Sequence, residues 1–368
     1  MIAAKRTSPL TDWTVLVPVV ALVALVLSWG RELPGFAVAL VALCLAGAVL
    51  AAVHHAEVVA HRVGEPFGSL VLAVAVTIIE VALIVTLMAG GEGDKTSSLA
   101  RDTVFAAVMI TCNGIVGLSL LVGALRNRVA VFNAEGSGAA LATVATLATL
   151  SLVLPTFTTT KPGPEFSTAQ LTFAAVASLA LYGLFVAVQT IRHRDYFLPV
   201  DTGSAAQSGD SHAAPPTTRA ALLSLGLLLV ALIAVVGDAK AVSPTIETAV
   251  AKAGLPNAVV GVIIALLVLM PETLAAVRAA RRDRVQTSIN LAYGSAIASI
   301  GLTIPAIALA SIWLSGPLLL GLGPIHMVLL ALTVVVGALT VVPGRATLLQ
   351  GGVHLVILAA YLFLAVSP

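Results

Sequence analysis

The sequence predicts an all-α membrane protein whose chain crosses the bilayer about eleven times. Hydrophobic residues make up 59% of the chain and charged residues only 10%, whereas an ordinary soluble domain carries about a quarter charged residues. No Asp, Glu, Lys or Arg occurs from Val285 to Gly344, a run that suits two membrane spans. The chain therefore has too few polar residues to cover the surface of a soluble protein.

Apolar runs of roughly 20 residues mark the predicted transmembrane helices. In lipid each backbone polar group needs a partner within the protein, so each run is expected to be helical. The predicted spans are 12–30, 34–55, 67–90, 102–124, 137–156, 168–191, 220–238, 256–279, 286–313, 317–342 and 346–366.

One hydrophilic segment interrupts the series of predicted helices. Residues 195–219 are rich in Ser, Gly, Ala, Thr and Pro, a composition typical of a flexible linker. The chain is therefore divided into an N-terminal transmembrane helix in residues 1–33, a first half with helices two to six in 34–194, a cytoplasmic linker in 195–219, and a second half with helices seven to eleven in 220–368.

Lys and Arg indicate the orientation in the membrane. They are more frequent in the loops on the side of the N-terminus, most clearly in the cluster from Arg278 to Arg284. Positively charged loops stay cytoplasmic, so we expect a multi-pass plasma membrane protein with a cytoplasmic N-terminus and an outer C-terminus. No basic tract indicates a nucleic-acid partner, and the sequence leaves open whether the protein forms a homo-oligomer.

Two acidic residues stand in the middle of predicted spans. Glu80 is the only charged residue of the third span, and Glu272 lies in the apolar part of the eighth. An ionisable group at membrane depth costs roughly 2.5–3.5 kcal/mol, so such a residue indicates a functional site. The structural alternative is a protonated carboxyl that is hydrogen-bonded between helices.

The positions of the two glutamates predict an internal repeat. Glu80 and Glu272 lie five spans apart, so their helices run in opposite directions, and each is the second helix of a five-helix half. Inverted repeats of transporters place the substrate site near the bilayer midplane where the halves meet. We therefore expect two inverted five-helix repeats after an extra first helix, with an ion site between them.

Uncharged oxygen ligands occur on the helices that follow each glutamate. A hard cation such as Ca²⁺ takes 6–8 oxygen ligands, although small polar residues also serve tight helix packing. When no cation is bound, repulsion between two carboxylates favours proton binding, which is the basis of cation/proton exchange. The candidate ligands are Thr111, Asn113, Ser295, Ser299 and Thr303.

Two stretches of the chain resemble the α-repeats of the cation/Ca²⁺ exchanger superfamily. Residues 55–84 (HAEVVAHRVGEPFGSLVLAVAVTIIEVALI) resemble the first repeat, and residues 256–280 with 288–305 (SINLAYGSAIASIGLTIP) resemble the second. Within this superfamily the chain is most similar to the bacterial Ca²⁺/H⁺ antiporters, and the likeness covers nearly the whole chain. The resemblance implies exchange of Ca²⁺ for H⁺ by alternating access, with Ca²⁺ as a transported substrate and no cofactor.

The resemblance also implies roles for individual residues. Glu80 and Glu272 match the paired acids that bind the metal ion, and Asn113 and Ser295 match polar residues of the helices that follow them. A further pair is implied in gating or proton passage, with Glu57 as the matching acid and Glu247 as its counterpart in the second half.

Both copies of the family's Gly-Asn-x-x-Glu motif are altered in this sequence. Val76 and Thr77 stand at the Gly-Asn position of the first copy, and Val268 and Leu269 stand there in the second. An amide ligand is missing from each half, and Thr77 is only a partial replacement. Na⁺/H⁺ or K⁺/H⁺ antiport on the same scaffold is therefore the alternative function.

Other classes of protein find less support in the sequence. It has no His-Glu-x-x-His, no aspartate-rich diphosphate motif and no nucleophile elbow, so we do not expect an enzyme. No polar stripe follows a whole helix, which disfavours an open channel. His54, Glu57 and His61 share one helix face beside His55, where a pH-sensing or metal site and a solvated helix end both remain open.

Overall fold

The computed structural model describes residues 12–31, 33–64, 67–90, 97–200, 216–256, 258–314 and 316–367. Almost all regular structure in these ranges is helical. The helices are Trp13–Ser28 (α1), Gly35–Val63 (α2), Phe67–Gly90 (α3), Leu99–Asn127 (α4), Ala134–Phe157 (α5), Thr168–Arg192 (α6), Thr218–Lys252 (α7), Ala258–Arg281 (α8), Val285–Ala310 (α9), Pro324–Val341 (α10) and Leu348–Val366 (α11).

Within the described ranges, nine helices are long and apolar enough to cross a membrane. Two shorter apolar helices, Trp13–Ser28 and Ala73–Ala89, correspond to the first and third predicted spans. Large apolar side chains such as Phe36 and Leu349 are about three-quarters exposed, as expected for surfaces that face lipid. The prediction of an all-α polytopic membrane protein is confirmed, while the inverted repeat stays a prediction.

Local sequence signals set several helix ends. The Asp12 side chain accepts a hydrogen bond from the Thr14 amide at the start of α1. Ser167 and Gln170 form a capping box that starts α6, and Thr347 and Gln350 form another at α11. Each such pair satisfies backbone donors that the first helical turn leaves without partners.

One boundary differs from the prediction in a way that matters for function. The seventh span was predicted to end at Asp238, because charged residues begin there, but α7 continues to Lys252. Asp238 is fully buried while Lys240 is exposed, so the helix continues with the acid on its packed face. The prediction that Asp238 lies at a helix end is therefore wrong.

The tenth helix also begins later than predicted. It starts at Pro324 rather than at residue 317, since a proline at the first helical position has no amide that needs a partner. The preceding segment is extended, with Leu319 bridged to Glu165 and the Leu322 amide donating to the Leu152 carbonyl.

The chain forms two compact units. The first comprises Met1–Gly90 and His212–Ala249, and the second comprises Gly91–Ser211 and Val250–Pro368. Each unit combines helices from both predicted halves of the chain, so the units do not test the predicted division. Most of the predicted linker 195–219 lies outside the described residues.

The most buried span of the second unit is α4, which packs against α8, α9 and α11. Glycines allow the closest approaches, since a Cβ atom on Gly117 would lie 3.1 Å from the Gly351 carbonyl oxygen on α11. After α4, a short strand, Ala130–Val131 (β1), pairs antiparallel with Arg345–Ala346 (β2). These contacts place α11 along the C-terminal part of α4.

Candidate functional site

Glu80 lies on the packed face of α3 in the first unit. Its side chain is 4% exposed, and Thr77, one turn earlier, is 6% exposed. Val74 and Ile78, on other faces of the helix, are exposed. The period of the helix thus buries the predicted ion-binding acid together with its neighbouring hydroxyl.

Glu272 lies on α8 in the second unit and is half-buried. Pro271 precedes it inside the helix. A proline has no amide N–H, so the carbonyl of Leu267 loses its helical donor. The helix therefore has a backbone carbonyl without its helical donor about one turn before Glu272, and such an oxygen could serve as a cation ligand.

A π-helical segment, Ile110–Ile115, interrupts α4 and contains Thr111 and Asn113. Such segments are rare and are frequent at functional sites. The Thr111 hydroxyl is fully buried and lies 2.7 Å from the Ala107 carbonyl and 3.1 Å from that of Val108. The Thr111 hydroxyl therefore donates its hydrogen bond to the backbone of its own helix.

Asn113 is fully buried and its amide is held from two sides. Its Nδ2 donates to the Thr333 hydroxyl at 2.9 Å, and that hydroxyl donates to the Leu329 carbonyl. His354 Nδ1 lies 3.1 Å from Asn113 Oδ1, which can only accept, so Nδ1 is the donor. The Asn113 oxygen that was predicted to bind a cation thus already accepts a hydrogen bond from α11, and the Asn113 amide nitrogen donates to α10.

The sequence indicated neither of these partners of Asn113. His354 is fully buried, and its Nε2 lies 3.2 Å from the Thr340 hydroxyl. This buried histidine therefore contacts a candidate site residue.

Ser295 and Ser299 lie one turn apart on α9, with Ser299 buried and Ser295 half-buried. This helix packs against α8 and against the π-helical segment of α4. One turn further on, the Thr303 hydroxyl is buried and has no hydrogen-bond partner within the described part of the chain. The second unit therefore assembles the helices that carry Glu272, Asn113 and the candidate hydroxyls.

The remaining site predictions are not tested by this arrangement. Glu80 belongs to one compact unit and Glu272 to the other, so their pairing stays a prediction. Glu57 is exposed on α2, and Glu247 lies in α7 with its side chain outside the described residues. Their roles in gating or proton passage also stay predictions.

The histidine cluster of α2 packs against α1. His55 Nε2 lies 2.8 Å from the Thr14 carbonyl oxygen, and the His54 ring lies 6.1 Å from that of Trp13. The described residues contain no group of three or more His, Cys, Asp or Glu side chains that could hold a metal ion. His54 and His55 thus pack against α1, and the predicted pH-sensing or metal site stays a prediction.

Comparisons with known proteins agree with this architecture. A family model described as sodium/calcium exchanger protein matches residues 32–191 and 223–367. The putative ionic transporter y4hA of Sinorhizobium fredii (strain NBRC 101917 / NGR234) is 47% identical over 367 residues, which cover 99% of this chain and 98% of the relative. The sodium-potassium/proton antiporter ChaA of Escherichia coli (strain K12) is 36% identical over 356 residues, 95% of each chain.

A solved structure shares the fold. The crystal structure of an H⁺/Ca²⁺ exchanger, CAX, superposes with a TM-score of 0.69 at 17% sequence identity. The match covers 96% of this chain and 89% of that one. At this level of identity the likeness concerns the arrangement of helices.

Proposed function

The chain belongs to the sodium/calcium exchanger protein family, and from that premise we propose that it is a secondary antiporter that exchanges a cation for protons. The observation that carries the proposal is Glu80, an acid 4% exposed in a helix that has no other charged residue. A carboxyl group at membrane depth costs free energy, and in membrane proteins such groups mark ion and proton pathways.

In the proposed mechanism Glu80 and Glu272 alternately hold the cation and protons. When the cation leaves, two carboxylates near each other in a dry site repel, and protonation of at least one relieves the repulsion. The loaded and the protonated forms cross between the two sides, whereas the empty charged form does not. This cycle couples the two gradients without a cofactor.

We infer that a monovalent cation, Na⁺ or K⁺, is the first candidate substrate. Ca²⁺ needs 6–8 oxygen ligands, but the side-chain oxygen of Asn113 already accepts a hydrogen bond from His354. Neither Gly-Asn pair of the resembled motif is present beside the glutamates. The relative that is 36% identical is described as a sodium-potassium/proton antiporter.

Ca²⁺ is the second candidate, favoured by the charge of the site. Two carboxylates suit a divalent ion, and the hydroxyls of Ser299 and Thr303 are buried on the adjacent helix α9. The solved exchanger that shares the fold is described as an H⁺/Ca²⁺ exchanger. Ca²⁺/H⁺ exchange therefore belongs in the same experiment.

The test is proton flux in everted membrane vesicles that hold a preset pH gradient. Na⁺, K⁺ and Ca²⁺ are added separately to the wild type, Glu80→Gln and Glu272→Gln. We expect a cation to dissipate the gradient in the wild type and each Gln variant to reduce the flux to background, because an amide cannot hold the exchanged proton. Glu135→Gln, at an exposed glutamate that starts α5, is the matched control and should resemble the wild type.

The outcomes separate the candidates. A response to Na⁺ or K⁺ supports the first candidate, and a response to Ca²⁺ alone supports the second. The proposal is wrong if no cation moves protons, or if both Gln variants transport at the wild-type rate.

A further inference from the structure

Another buried acid, Asp238, lies inside the apolar helix α7. Asp238 is fully buried, with more than three helical turns of α7 on either side. Neither of its carboxyl oxygens has a hydrogen-bond partner within the described part of the chain. The proposed exchange at Glu80 and Glu272 makes no use of this group.

The buried residues one helical turn from Asp238 on α7 are apolar: Ala234, Val235 and Val242. The neighbouring Gly237 touches α1 so closely that a Cβ atom there would lie 2.3 Å from a Leu25 methyl carbon. The Leu25 side chain thus packs directly against α7 at the residue next to Asp238.

No positive charge compensates Asp238 among the described residues. The titratable group that interacts with it electrostatically is the Cys44 thiol on α2, which is uncharged near neutral pH. Lys240, two residues along α7, is exposed and points away from the packed face. An ionised carboxylate in this position would find neither a counter-ion nor a hydrogen bond among the residues that the structure describes.

The carboxyl group must therefore carry a proton in this conformation. Burying an unpaired ionised carboxylate is so costly that such a group takes up a proton instead. A neutral acid without a partner is still less stable there than an apolar side chain. Stability alone thus does not explain why an acid occupies this position.

We propose that Asp238 is a third membrane-embedded proton-binding site, occupied in this conformation and emptied during the exchange cycle. The O–H bond on Asp238 forms with a proton delivered by water, and it breaks when water from one side regains access to the carboxyl group. The ligand is the proton itself. The role in the cycle rests on the proposed antiport function, but the protonation state does not.

The first arm of the test measures protonation directly. The infrared carbonyl band of protonated carboxylic acids is recorded for the protein in lipid bilayers at neutral pH. The wild-type spectrum minus that of Asp238→Asn isolates the contribution of this residue, and Glu135→Gln is the control. We expect the difference to contain a protonated-acid band that the control difference lacks.

The second arm measures exchange in proteoliposomes over a range of pH. Asp238→Asn keeps the shape of the neutral acid but cannot release a proton, so we expect slower cation-driven proton movement and a changed pH profile. The Glu135→Gln profile should match that of the wild type. Asp238→Glu keeps an acid at the site and should retain exchange, with a shifted profile, even if the Asn variant does not fold.

Three outcomes would overturn the inference. One is the absence of the protonated-acid band from the difference spectrum. Another is a carboxylate band of Asp238 that responds to Na⁺ or Ca²⁺, which would assign a cation to the site. The third is a wild-type pH profile in Asp238→Asn. Failure of the wild type to exchange any cation would instead refute the proposed function, and the infrared arm would still decide the protonation of Asp238.

Discussion

Both polar atoms of the buried Asn113 side chain have hydrogen-bond partners. Its polarity in an apolar run marked it as a candidate site residue, because an unpartnered buried amide is costly. Its partners Thr333 and His354 lie more than 200 residues away in the chain. The sequence could therefore predict that Asn113 needs partners but not which ones, since helix packing alone brings these residues together.

Replacing Asn113 with Ala should destabilise the protein. The substitution leaves the Nδ1 donor of His354 without its acceptor and removes the donor that binds Thr333. We expect the free energy of unfolding to fall by about 1–3 kcal/mol, the cost of unsatisfied buried groups.

Thermal unfolding in detergent would measure the effect of Asn113→Ala. The control is Thr143→Ala, which removes an exposed hydroxyl that bonds only to the Ala139 carbonyl of its own helix and should change stability by about 0.5 kcal/mol or less. Equal melting temperatures for both variants would show that the Asn113 contacts contribute nothing.

At the scale of helices, the contact of α4 with α11 depends on two glycines. A Cβ atom at Gly351 would lie 2.8 Å from the Leu121 amide nitrogen and 3.0 Å from the Gly117 carbonyl oxygen. Both are backbone atoms, so no side chain can rotate away to make room. The helices would have to separate, and small residues at such interfaces exist because they let backbones approach.

Gly351→Ala should therefore destabilise the protein, while the adjacent Gly352→Ala should not. A Cβ atom at Gly352 meets nothing within 4 Å, and Ala is favoured over Gly in a helix by about 1 kcal/mol. Thermal unfolding and size-exclusion profiles of the two variants would compare them. If Gly352→Ala were the less stable of the pair, the close helix contact would not control stability here.

Element boundaries were the weaker part of the sequence prediction. The end of α7 was placed at the first charged residues, which is a sound rule for a helix that leaves the membrane. Asp238 departs from this rule because its side chain lies on the packed face and the helix continues to Lys252. A hydropathy pattern cannot distinguish a buried acid near a span end from a loop residue, so packing had to reveal it.

At the scale of the whole molecule, the long apolar helices were predictable because the bilayer requires them. Lipid requires each apolar run to satisfy its backbone within a helix, and this constraint does not depend on which helices pack together. The pairing of Glu80 with Glu272 depends on the arrangement of helices from distant parts of the chain. No local pattern encodes that arrangement, so the pairing was predicted only from the symmetry of two halves and from the resemblance to the α-repeats, and it stays a prediction.

The positive charges of the loops predict the orientation of the protein. If Arg278, Arg281, Arg282 and Arg284 lie on the cytoplasmic side, as the positive-inside rule predicts, the C-terminus is expected outside. Alkaline phosphatase fused after Pro368 should therefore be active in a bacterial host, and a fluorescent protein fused there should stay dark. A fluorescent fusion with an inactive phosphatase would reverse the assigned topology.

The π-helical segment Ile110–Ile115 changes the direction in which the side chains of α4 face before and after it. A π turn takes in one residue more than an α turn, and one residue corresponds to a rotation of about 100°. The stretch Leu99–Met109 packs against α8, whereas Val116–Asn127 packs against both α8 and α11. Removing a single residue from Ile110–Ile115 would rotate Val116–Asn127 by about 100° relative to Leu99–Met109 and would disrupt its contact with α11.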